Sequence, residues 1–316
     1  MRQLQFKSIE YAGLAPGPRL IVTGAVHGNE TCGTQAIERL CAQLDAGELL
    51  IARGSVTFVP VANPLAYRLG QRGGERNLNR SLFPSDAPQD FEDSVANWLC
   101  PLLARHDVLL DLHSFSAAGT PFAMVGPRDN AGPLEPFAHA AGERALARRL
   151  GVQRFVEGWL ATYAQGVQRR MQAADPAQLD KVVRYGVGTT EYMRSTGGYA
   201  LTLECGQHQD PAAPDVAWRA ILNTLAHLGL IDAPAPQAVE QAEALAMVAV
   251  YDKQFDGDTF SRAWQSFDPV AQGELIGTRA DGTPVLAEFD GRILFPDTEA
   301  RAGHEWYYMT RPNPDF

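Results

Sequence analysis

The sequence predicts an α/β fold: a mixed, largely parallel sheet flanked by helices, followed by a small C-terminal β domain. Three features carry this. Between residues 20 and 228 short apolar runs alternate with longer stretches whose apolar residues recur at spacings of three and four, the signature of strand–helix–strand units. The segment Ile231-Asp-Ala-Pro-Ala-Pro-Gln237 reads as a linker. After it the apolar runs are short and punctuated by Gly257, Gly273, Gly277, Gly282 and Gly291, as in a compact sandwich or barrel. The expected division is a catalytic domain over 1–230 and a linker with a small β domain over 231–316, closing over the site.

In chain order, residues 1–19 read as an edge strand and a Gly/Pro-rich turn, and 20–26 as a buried strand. Gly33 to Leu44 carries Ile37, Leu40, Cys41 and Leu44 on one helical face. Ser55–Val61 is the next strand, and 62–85, rich in Asn, Arg and Gly, a long functional loop or lid. Asp90–His106 predicts a helix that Pro101 should kink or end. Val108–Leu112 and Tyr199–Leu203 predict strands, and Pro133–Leu150, Gln168–Asp180 and Asp215–Leu228 helices. Ala238–Met247 reads as a short helix or the tail of the linker. Val248–Tyr251, Val285–Glu288 and Arg292–Phe295 predict short strands.

Composition narrows the function. With 316 residues, 45% hydrophobic and 20% charged, the chain can bury a sizeable core without staples. A net charge of −10 argues against a general nucleic-acid or acidic-membrane binder. Local arginines can still dominate a pocket for an anionic substrate. Cys32, Cys41, Cys100 and Cys205 fit neither a CxxC site nor a disulfide framework, so a reducing, cytoplasmic setting is expected. The first residues lack a signal peptide's apolar core, and no run approaches the roughly 18 apolar residues of a membrane span.

Leu20–Val26 ends abruptly in His27-Gly-Asn-Glu30. Strand 108–112 delivers His113, and strand 199–203 delivers Glu204. In a parallel sheet these residues share the C-terminal edge, where such folds bind ligands. A single histidine after a strand is more often structural. Two histidines and a carboxylate at neighbouring strand ends instead form a catalytic zinc set with an open position. A fourth carboxylate can then deprotonate the zinc-bound water.

Gly24-Ala-Val-His27-Gly-Asn-Glu30, Asp111-Leu-His113 and Leu203-Glu204-Cys-Gly206 resemble the motifs of the aspartoacylase/succinylglutamate desuccinylase family, zinc amidohydrolases of carboxypeptidase-like fold. Asn63-Pro64, Arg72 and Leu78-Asn79-Arg80 extend the likeness. The resemblance implies one Zn2+ per chain on His27, Glu30 and His113, with Glu204 as general base and acid. It implies that Arg72 stabilises the oxyanion, and that Asn79, Arg80, Arg194 and Tyr307 contact the substrate, Arg80 by a bidentate carboxylate pair. The implied activity is hydrolysis of the amide bond of a small anionic N-acyl amino acid, succinylglutamate- or acetylaspartate-like, a C–N bond other than a peptide bond.

Two positions depart from the family pattern. Asn77 stands where an aspartate is common, and Thr190-Glu-Tyr-Met-Arg194 has threonine where aspartoacylases have tyrosine. Asp111, two residues before His113, should point to the same face and orient it or a neighbouring loop. Cys205 reads as packing. Two other readings remain: a metallocarboxypeptidase acting on short peptides, which needs an open groove, and a non-catalytic metabolite-binding module, which needs no metal. A homo-oligomer is compatible with the sequence.

Overall fold

The computed structural model describes residues 4–170, 184–314 and 316. β1 (Ile9–Ala12), β2 (Ala15–Thr23), α1 (Cys32–Asp45), β3 (Arg53–Val59), α2 (Pro64–Leu69), α3 (Phe91–Leu103) and β4 (Val108–Phe115) come first. β5 (Phe122–Met124), α4 (Ala140–Ala147), β6 (Arg154–Glu157), α5 (Trp159–Arg170), α6 (Thr189–Ser195), β7 (Tyr199–Gln207) and α7 (Ala213–His227) follow. The remainder is β: β8 (Glu243–Asp252), β9 (Thr259–Phe260), β10 (Pro269–Val270), β11 (Leu275–Thr278), β12 (Pro284–Leu286), β13 (Gly291–Leu294) and β14 (Glu305–Pro312).

An eleven-stranded sheet runs β1-β3-β2-β4-β7-β5-β6-β8-β14-β13-β10, and a three-stranded antiparallel sheet runs β12-β11-β9. β3, β2, β4 and β7 are mutually parallel. β5 reverses against β7, and β6 and β8 continue parallel to β5. β8 thus joins the chain after the linker to the same sheet. Beyond it β14, β13 and β10 are antiparallel.

The parallel strands are buried on both faces, which is why β2 and β4 read as nearly unbroken apolar runs. Leu20, Val22, Leu110, Leu112, Leu201 and Leu203 pack on one face with Ile37 and Leu40 of α1 and Ile221 and Leu225 of α7. Ile21 and Leu109 pack on the other with Val95 and Leu99 of α3 and Met193 of α6. Alternation along the strands assigns Thr23, Asp111, His113 and Glu204 to this second face. α3 begins where Asp90 accepts the Asp93 N–H at 2.8 Å. Its Pro101 sits in the last turn, only two residues before the end at Leu103.

Some elements differ from expectation. Residues 133–139 are not helical: Pro133 and Pro136 cannot supply helix N–H groups, and α4 is confined to Ala140–Ala147. Ala238–Met247 is no helix, since β8 starts at Glu243, burying Leu245 and Met247 in alternation. α5 begins at Trp159, before the expected Gln168, and the expected helix beyond residue 170 lies outside the described residues. The 62–85 loop opens with a short helix, where Asn63 accepts the Ala66 N–H at 3.1 Å and Pro64 fits the first turn. No helix among the described residues is long and apolar enough to cross a membrane.

Candidate active site

The cluster begins in the turn after β2. Ala25 adopts φ 47°, lifting the chain off the strand, and Glu30 N–H closes the turn on His27 O at 3.2 Å. The next residue, Gly28, lies against α2. A Cβ there would fall 1.9 Å from the Ala66 carbonyl carbon, so only glycine permits this approach.

The turn points His27 and Glu30 at His113. His27 Nδ1 lies 2.8 Å from Glu30 Oε1, and His113 Nδ1 lies 2.8 Å from Glu30 Oε2. All three side chains are buried, and their donor atoms fall within 4.8 Å of one another. The outward-facing nitrogens are also held. His27 Nε2 lies 3.0 Å from Asn77 Oδ1, and His113 Nε2 lies 2.8 Å from Asp111 Oδ2. Asp111 in turn accepts from the Thr23 hydroxyl at 2.5 Å and from the Thr189 hydroxyl. Such outer partners fix ring orientation and tautomer. Asn77, the departure from the family motif, therefore supports a histidine.

Burial would raise the Glu30 carboxyl, but the two imidazoles hold it well below the ordinary carboxylate range. Burial, aided by Arg72, pushes His27 down to about 4. Burial also opposes charge on His113, yet Asp111 and Glu30 outweigh it and raise that imidazole. An ionised Glu30 and a neutral His27 are ligand-ready forms. Two imidazoles and a carboxylate, buried and convergent, fit a divalent ion of the zinc class with a coordination position to spare.

Glu204 pairs with His113 across the β4–β7 ladder and is 7% exposed. Its Oε2 is buried and has no hydrogen-bond partner among the described residues. Burial, reinforced by Glu30 and Asp111, pushes its carboxyl up to about 8 against the pull of His113 and Arg72. A carboxyl so shifted inside a cluster of potential metal ligands is suited to carry a proton.

Arg72 reaches Glu30 Oε1 with Nη1 at 3.2 Å while its side chain stays 54% exposed. It lies within electrostatic reach of Arg80, Glu204 and Tyr308. Asn79 accepts the Thr189 N–H through Oδ1 at 2.9 Å, which leaves its amide N–H groups as donors. The Arg80 guanidinium lies 4.7 Å from the Trp159 ring centroid and 5.7 Å from that of Tyr163. Among the described residues no carboxylate pairs with Arg80.

Arg194 and Tyr307 are placed differently. Arg194 is buried, with Nε and Nη2 on Glu143 at 3.0 and 3.1 Å, Nη1 on Glu135 at 2.9 Å and Nη2 also on Ala200 O at 2.7 Å. Glu191 stands 3.7 Å from Nη1. It is anchored by the Thr190 hydroxyl at 3.0 Å and the Gly188 N–H at 2.9 Å, so the departing residues cap α6 and turn a carboxylate inward. Tyr307 stacks on Tyr251 at 4.8 Å and packs with Trp306, remote from the His27–His113 cluster. Its neighbour Tyr308 packs instead with Phe115, Phe122, Phe295 and Trp159 beside the cluster. The sequence offers the pair Tyr307-Tyr308 with no mark of which ring faces the cluster, and Trp159 belongs to no motif. Cys205 is buried beside Cys32, with its thiol raised by burial, as expected of packing.

Residues 16–148 match the family model described as the succinylglutamate desuccinylase/aspartoacylase catalytic domain. The resemblance to the succinylglutamate desuccinylase/aspartoacylase family is thus borne out over residues 16–148, and the similar proteins extend it along the chain. The chain is 27% identical over 292 residues to N-alpha-acetyl-L-2,4-diaminobutyric acid deacetylase of Halomonas elongata, covering 87% of this chain and 76% of that one. It is 26% identical over 312 residues to succinylglutamate desuccinylase of Pseudomonas syringae pv. tomato, covering 91% and 81%. The crystal structure of a succinylglutamate desuccinylase/aspartoacylase from Rhodobacter sphaeroides shares the fold, with TM-score 0.73 and 21% identity over 99% of this chain and 90% of that one. So does the product-bound ectoine utilization protein of Ruegeria pomeroyi, with TM-score 0.70 and 22% identity over 94% and 86%. The fold is thus the one the family resemblance implied.

Proposed function

We propose that this deacylase hydrolyses the amide bond of a small N-acyl amino acid, with one zinc ion held by His27, Glu30 and His113 and with Glu204 as general base. The observation that carries this is the buried, unpartnered Oε2 of Glu204 beside a convergent His–Glu–His cluster. When bound, the ion supplies Lewis-acid polarisation of the acyl carbonyl and lowers the pKa of water. Glu204 takes the water proton and returns it to the departing amine, as a carboxyl raised toward neutrality can do. Arg72, already beside Glu30, steadies the oxyanion. Asn77 and Asp111 keep the two imidazoles oriented throughout.

The substrate's carboxylate goes to Arg80, whose charge no described carboxylate neutralises, and to the Asn79 amide. Arg194 is assigned elsewhere in this reading, because Glu135, Glu143 and Glu191 already surround its guanidinium. A second substrate carboxylate at that place meets excess negative charge. Of the substrates in the relatives' names, the one carrying a side-chain amine suits these surroundings better than succinylglutamate. Trp159 and Tyr308, with the segment 231–316, close the pocket over a small molecule rather than a peptide.

The test is a panel containing N-acetyl-2,4-diaminobutyrate, N-acetylaspartate, succinylglutamate and short peptides, offered to the zinc-loaded protein. Amine release from an acyl amino acid, fastest with the diamino compound, is expected. Turnover of peptides alone overturns the substrate class, and failure to take up zinc overturns the mechanism.

A further inference from the structure

We propose that His208 is a positioning residue, a clasp joining the three segments that carry the metal-ligand cluster and the base; this rests on the metal-dependent reading above. His208 follows Glu204 by four residues, on the turn after β7, and its N–H donates to Phe115 O at 2.9 Å. Its Nδ1 lies 2.8 Å from the Ser114 hydroxyl. Ser114 is the residue after His113, and its backbone N–H donates to Glu30 Oε2 at 3.1 Å. The other edge of the ring, Nε2, lies 3.5 Å from the amide of Asn29, the residue before Glu30.

The Asn29 Oδ1 is buried and has no hydrogen-bond partner among the described residues. A half-turn of this amide brings Oδ1 to His208 Nε2–H, and the Ser114 O–H then donates to Nδ1. A single imidazole with its proton on Nε2 thereby donates to Asn29 Oδ1 and accepts from Ser114, satisfying both ring nitrogens. The same ring touches the residue beside Glu30 and the residue beside His113, and sits just past the end of the strand that carries Glu204. Its consequence falls on Glu30: the clasp holds Ser114 where its N–H fixes the Oε2 that faces His113.

The experiment measures zinc loss to an excess of chelator, alongside kcat/KM. H208A is expected to lose zinc about 10–100-fold faster than wild type, the range for outer partners of metal ligands. H208N, whose amide stands in for the Nδ1 edge, restores most of the retention; H208Q, which reaches only the Nε2 position, does not. S114A reproduces H208A, and the double variant is no worse than either single one, because both break one linkage. Wild-type zinc retention in H208A, equal retention in H208N and H208Q, or additive losses overturn the clasp. A wild-type protein that takes up no zinc overturns the function proposed above together with it.

Discussion

Asn77 Oδ1 lies 3.0 Å from His27 Nε2, so the arginine-rich loop is bonded to the first histidine of the proposed metal centre. The same oxygen accepts the Asn79 N–H at 2.9 Å, linking His27 to the segment that holds Asn79 and Arg80. Replacing Asn77 with Ala should weaken zinc affinity about 10–100-fold by freeing the ring. Asn77→Asp, which keeps an acceptor, should stay within a few-fold of wild type. Competition with a chromophoric chelator measures both.

Arg194 should prove structural. Arg194→Ala leaves Glu143 and Glu135 without their counter-charge and should cost about 3–5 kcal/mol. Arg194→Lys recovers little, because one ammonium cannot reproduce the two-pronged contact with Glu143. Denaturant midpoints measure this. A stable Arg194→Ala protein with only a raised KM would instead support direct substrate binding.

Glu135 makes stability depend on pH. Burial, opposed by Arg194, pushes its carboxyl up from 4.5 to about 7. The folded state then holds a proton that the unfolded chain releases, so stability falls as pH rises between those values. Glu135→Gln should remove this part of the decline. Denaturant titrations of both proteins at pH 4.5, 6 and 7.5 measure the difference; parallel curves would contradict the assignment.

Tyr308, not Tyr307, should matter to turnover. Tyr308 lies within electrostatic reach of Arg72, whereas Tyr307 stacks on Tyr251. Tyr308→Phe should lower kcat/KM about tenfold, the scale of one hydrogen bond to a charged group. Tyr307→Phe should change it less than twofold. Steady-state kinetics on the best substrate of the panel decide.

Much of the site was legible because it sits at the ends of parallel strands. Leu20–Val26 and Val108–Leu112 are buried on both faces, so their apolar runs are interrupted only by Thr23, Gly24 and Asp111 and the polar residues that follow stand out. β5 and β6 are three and four residues long and carry no comparable signal. For Arg194 the sequence shows only its interval to Glu204; its contact Glu143 lies 51 residues away and meets it only when α4 and α6 pack around β7. The Ala-rich start of β8 misled for the same reason: its pairing with β6 is non-local and outweighs alanine's helical preference.

In the proposed mechanism Glu204 is the base acting at a zinc centre of His27, Glu30 and His113. The most direct test compares wild type with Glu204→Gln at matched, measured zinc content, using initial rates of amine release. About one zinc per chain is expected in both proteins, with a rate at least about 100-fold lower in the variant, the scale of general acid–base catalysis. Equal rates at equal zinc content would contradict it.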